Sequence, residues 1–82
     1  MKPARQDRIA LFCWANVAST FAMMQNPKYR GPAFSWESFP EMASSHVATT
    51  VAVMVEAKST ERGFIEQTCH DIAKQLVERS KE

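Results

Sequence analysis

Two long stretches of this chain carry no Asp, Glu, Lys or Arg, 9–27 and 42–55, and the charged residues crowd between and after them. Within both stretches apolar residues recur at threes and fours, the period of one helix face. The segment 38–57, SFPEMASSHVATTVAVMVEA, is the organising element. Met42, Ala43, Val47, Val51, Met54 and Val55 follow the helical step, while Ala48, Ala52 and Val53 fall on other faces. A helix apolar almost all round is normally buried on more than one side, so the pattern predicts a central helix over about 39–57. Its β-branched residues also suit a strand, but a lone strand in a helical chain has no partner. Ser38 and Glu41 have capping-box spacing, and Phe39 ahead of Pro40 is the competing start.

Upstream, Pro3 suits a first helical turn, and a helix is expected over about 4–25. It carries two apolar stripes, one of Leu11, Trp14, Ala18, Phe21 and Ala22, the other of Ile9, Cys13, Val17 and Met24. Together they are wider than one contact needs. Asn26-Pro27 ends it, because a residue before proline is driven out of the α region. Downstream of the polar break at 58–62, where Ser59 or Thr60 can cap, lies a third helix over about 61–80. There Ile65, Cys69, Ile72 and Leu76 form the apolar stripe, with Glu66, Asp71, Lys74, Glu78 and Arg79 opposite.

The expected fold is therefore all-α, a single three-helix domain over 1–82. Helices 2 and 3 are either separate or fused from about Pro40 to Ser80. Val51, Lys58, Ile65 and Ile72 keep a seven-residue step through the break, and no proline interrupts it. Assembly as a homo-oligomer through the first two helices is expected, since their charge-free runs exceed what one covering helix buries.

Composition narrows the function classes. A net charge of +1, with ten basic residues against nine acidic, supplies no global field for nucleic acid or acidic membrane. Lys2, Arg5 and Arg8, with Lys28, Tyr29 and Arg30, leave a nucleic-acid-binding accessory role as a minor alternative. A signal peptide is not expected: Asn16, Ser19 and Thr20 interrupt the apolar run and no small-x-small site follows. The run is also too short and polar for a membrane span. Two cysteines among apolar residues suit buried free thiols and a reducing, cytoplasmic setting.

Cys13, His46, Cys69 and His70 are the only thiol and imidazole groups, with no metal-ligand spacing, so no metal or cofactor is expected. Cys69, His70 and Asp71 are adjacent, which on a helix separates their side chains. His46, among small residues, is expected in a structural role. No phosphate-binding glycine loop occurs, and catalysis is not expected. The one loop, 26–37, holds Tyr29, Phe34 and Trp36 with Lys28 and Arg30. Phe34 and Trp36 suit a plug for the bundle end, and Lys28, Tyr29, Arg30 and Trp36 are the candidate partner-binding residues. The function expected is a small accessory protein, an adaptor or inhibitor, that binds another protein. The alternative is an oligomeric binder of a small anion such as a nucleotide, held by Lys28, Tyr29 and Arg30.

Overall fold

Three helices and the short 3-10 turns between them make up residues 4–81, which this computed structural model describes; those residues contain no strand. Helix α1 spans Arg5–Met23. Helix α2 is one rod over 39–54, running through Phe39–Met42, a π-helical turn at Ala43–Val47, and Ala48–Met54. Helix α3 spans Arg62–Ser80. Pro3 and Lys2 lie outside the described residues. Arg5, opening α1, pairs with Glu61 just before α3, while Phe21 near its end packs on Phe39 at the start of α2. Helices α1 and α3 are thus parallel, and α2 is antiparallel to both.

The core takes one stripe from each helix. Ile9, Cys13 and Val17 of α1 meet Phe39, Ala43, Val47, Ala48, Val51 and Ala52 of α2 and Ile65, Cys69, Ile72, Ala73 and Val77 of α3. Val51 is central, as the pattern predicts. Among the described residues no polar or charged one is buried as a whole, although Arg62 Nε and His70 Nδ1 are covered without a hydrogen-bond partner. The other α1 stripe faces outward, with Leu11 62% and Trp14 41% exposed, apart from Phe21, which packs against the core.

Helix α2 departs from the expectation of burial all round. Val53 and Met54 are exposed, as are Ser45, His46, Thr49 and Thr50. Their flank is uncharged without being apolar, and its hydroxyls return to the helix. Ser44 Oγ donates to the Glu41 carbonyl at 2.8 Å and Thr49 Oγ1 to that of Ser45 at 2.7 Å. Such back-bonding lets Ser and Thr sit inside a helix without an outside partner. The π turn holds one residue more than an α turn, which rotates the later buried face by part of a turn. At the start of α2, Ser38 and Glu41 do not form the capping box. Instead Ser35 Oγ accepts from the Ser38 N–H at 3.3 Å, and Pro40 occupies the first turn.

Helices α2 and α3 are separate, which overturns the fused alternative. Glu56 adopts φ 51°, the left-handed region that stops a helix. The Ala57 N–H donates to the Ala52 carbonyl at 2.9 Å and the Glu56 N–H to that of Val53 at 3.2 Å, which is a Schellman closure. Lys58 is extended and is the cap residue of the following turn, where the Glu61 carboxylate reaches back to accept from the Lys58 N–H at 2.8 Å; Ser59 and Thr60 do not cap it. The seven-residue step persists because both helices, folded back on each other, present the same face to one core.

Candidate functional site

The loop after α1 is built around Arg30. Asn26 leaves the helix in extended backbone ahead of Pro27, and its Oδ1 accepts from the Lys28 N–H at 3.0 Å, an Asx turn. That turn brings Arg30 back under the end of α1. Its Nε donates to the Met24 carbonyl at 2.7 Å and its Nη2 to that of Gln25 at 3.0 Å. These carbonyls are the groups a helix end leaves without partners, at the negative pole of its dipole. The guanidinium also lies 5.7 Å from the Phe34 ring and 5.6 Å from the Trp36 ring.

Trp36 belongs to an aromatic cluster that closes this end of the bundle. It meets Phe34 edge-on at 4.9 Å, Phe21 at 5.2 Å and Phe39 at 5.5 Å, all within the range where ring pairs add to burial. Of the four candidate contact residues, Arg30 and Trp36 are therefore engaged by the scaffold and half-buried, while Lys28 and Tyr29 are exposed. Lys28 Nζ stands 5.7 Å from the Tyr29 ring, so these two share one small surface. The four residues are neighbours in sequence, but they do not converge on one ligand.

At the opposite end Arg5 plays the same part for α2. Its Nη2 donates to the Val55 carbonyl at 3.0 Å and to Glu61 Oε1 at 2.9 Å, and its Nε donates to Glu61 Oε2 at 2.7 Å. Hydrogen bonding from Arg5, helped by the Lys58 N–H, holds the Glu61 carboxyl down at about 2.

Besides a cleft of about 300 Å³ at the Arg5–Glu61 end, lined by Ile9 and Phe64, two grooves flank the bundle. One of about 320 Å³ runs beside Trp36, Pro40 and Val77, with Lys74, Lys81 and His70 set against Glu37, Glu41 and Glu78. Its charges alternate and favour neither sign of ligand. The other, about 290 Å³, lies between α1 and α2 and is lined by Asn16, Thr20, Met23, Met24, Met42, His46, Val47 and Thr50. No Asp, Glu, Lys or Arg borders it. His46, expected in a structural role, is on this exposed flank and outside the core. The sequence signal for this surface is the pair of charge-free runs; the residues themselves were not legible, since no spacing links Met23 to Met42.

Among the described residues no cluster of His, Cys, Asp or Glu is placed to hold a metal, and no helix is long and apolar enough to cross a membrane. Comparison with protein-family models, curated proteins and solved structures finds no match to this chain.

Proposed function

We propose that this chain is a small non-enzymatic binding protein, acting in the cytoplasm as an adaptor or inhibitor, that self-assembles through its α1/α2 side and meets a protein partner there and at Lys28 and Tyr29. The observation carrying this reading is the uncharged character of that side. Leu11 and Trp14 are exposed on the outer face of α1, and the α1/α2 groove is bordered by three methionines and no charged residue. Interface centres are depleted in charge and enriched in Trp, Tyr and Met. Methionine adds an adaptable surface, which suits contact with a differently shaped partner. Tyr29, half-exposed beside Lys28 at the end of the same helix, has the amphipathic character of an interface anchor.

The small-anion reading draws less support, because Arg30 already donates to two backbone carbonyls and Lys28 stands over Tyr29. A nucleotide would find no converging cations there.

Light scattering across micromolar concentrations tests the assembly. The parent should be larger than one chain, and Leu11→Glu should shrink it while leaving the circular dichroism unchanged, since Leu11 is outside the core. A parent that stays monomeric would sink the self-assembly. Capture of a protein partner by the parent, weakened by Lys28→Ala with Tyr29→Ala, tests the contact surface; capture at unchanged affinity removes these two residues from it.

A further inference from the structure

The parallel packing of α1 on α3 sets up a fixed register. Arg5 pairs with Glu61, 56 positions later, at 2.7 Å. The same offset matches Ile9 to Ile65, Cys13 to Cys69 and Val17 to Ala73, one helical turn apart each time, and every one of these six is buried. Each four-residue step advances both helices by about 6 Å, so partners matched at the first rung stay matched at the third. Ala73 beside this rung is small, which lets the two helices approach. Cys13 and Cys69 are both fully buried, belong to one cluster, and hold the only two thiols of the chain.

We propose that Cys13 and Cys69 form a redox-responsive dithiol, which an oxidant of the low-molecular-weight disulfide class converts into a covalent bond between α1 and α3. The thiols occupy matched positions on α1 and α3 inside one buried cluster. The neighbouring Cys13 thiol and burial push the Cys69 thiol up. Either thiol can act first as the thiolate. When Cys13 is the attacker, it takes one sulfur of the oxidant, and a mixed disulfide forms as the first small thiolate leaves. Cys69, losing its proton, attacks the Cys13 sulfur and expels the second small thiolate. Two thiol protons pass to the two released thiolates, one oxidant is reduced to two thiols, and the protein is oxidised by two electrons.

Neither sulfur is exposed, so each exchange step passes through a transient parting of α1 from α3. The bond, once closed, ties the first helix to the last across 56 positions of chain. It would then oppose any assembly or partner contact that requires α1 to swing away.

The test is an equilibrium one, so slow access to the thiols does not decide it. The full chain is brought to equilibrium with mixtures of reduced and oxidised glutathione, once in native buffer and once in concentrated urea, acid-quenched and weighed by mass spectrometry. The dithiol's effective concentration for closing should be about 30-fold or more higher in native buffer, the lower end of what a bridge contributes to a fold. The oxidised chain should be lighter by two hydrogens, and digestion with trypsin should yield 9–28 joined to 63–74. It should melt about 10 °C or more above the reduced chain, and dithiothreitol should reverse the shift. Cys13→Ala in the same buffers should show no oxidation-dependent shift. An effective concentration no higher in native buffer than in urea, or glutathione adducts in place of the internal bond, would overturn the proposal.

Discussion

Replacing Arg30 with Ala separates scaffold from contact surface more cleanly than any other change in the loop. The guanidinium makes two charge-assisted bonds to the last carbonyls of α1 and faces two aromatic rings. A bond of this kind contributes about 1.5 kcal/mol and each ring contact about 0.5 kcal/mol, roughly 4 kcal/mol in all. Freeing a long side chain returns about 2 kcal/mol of rotamer entropy, so the expected net loss is about 2 kcal/mol. For a chain of this size that lowers the melting temperature by about 10 °C. Urea and thermal unfolding followed by circular dichroism measure it. Arg30→Lys should recover little, since an ammonium lacks the planar fork that reaches two carbonyls at once. Lys28→Ala and Tyr29→Ala should each fall within about 0.5 kcal/mol of the parent. If Arg30→Ala also stays within about 0.5 kcal/mol, the two bonds are energetically silent and Arg30 is free to serve a partner.

Val51→Asp places an unpaired carboxylate at a fully buried position, so folding should be lost or weakened by several kcal/mol; a melt within a few degrees of the parent would contradict the core assignment. Glu56→Gly relieves a side chain held at φ 51° and should raise stability by about 0.5–1 kcal/mol in urea titrations, and a drop would show that the closing turn depends on the Glu56 side chain. Glu61 has a depressed carboxyl, so its contribution is complete above its ordinary value of 4.5 and fades as pH falls toward about 2. Urea midpoints taken down that range should fall more steeply for the parent than for Glu61→Gln, and parallel slopes would remove the Arg5–Glu61 pair from the acid limb.

Helix α3 was the most legible element, because its charged face leaves one assignment for Ile65, Cys69 and Ile72. The two stripes of α1 were visible, but nothing local distinguishes the buried one. That choice depends on register against α3, where Cys13 and Ile9 find Cys69 and Ile65. The exposed flank of α2 was hidden by the absence of charge. Ser45, Thr49 and Thr50 are uncharged, yet they remain wet and bond back to their own helix. The break at Glu56 was hardest to read, since its stop signal is a left-handed residue that is not glycine, compensated by Arg5 from 51 positions earlier. The loop residues were found as a cluster, with Phe34 and Trp36 legible as its plug, but the role of Arg30 was not. Arg30 and Tyr29 look alike as interface residues until the carbonyls of Met24 and Gln25 are placed beside one of them.

That difference bears on where a partner would sit. Two arginines, Arg5 and Arg30, each close a helix end from which the backbone carbonyls point outward. Such carbonyls would otherwise need water, and a bundle of only three helices has few other means of fixing its ends. Charges of both signs line the groove between α3 and the start of α2, which keeps that side hydrated without selecting a ligand. What is left without charge is the two charge-free runs, 9–27 and 42–55, which meet in the fold at the α1 face beyond Arg8 and its seam with α2. A partner of the proposed kind would have to bring apolar and hydrogen-bonding groups to that seam, because no charged residue borders it and Asn16 and Thr20 already donate to carbonyls of their own helix. Specificity would then come from shape around Trp14, Met23 and Met42, and binding should be insensitive to salt except at Lys28.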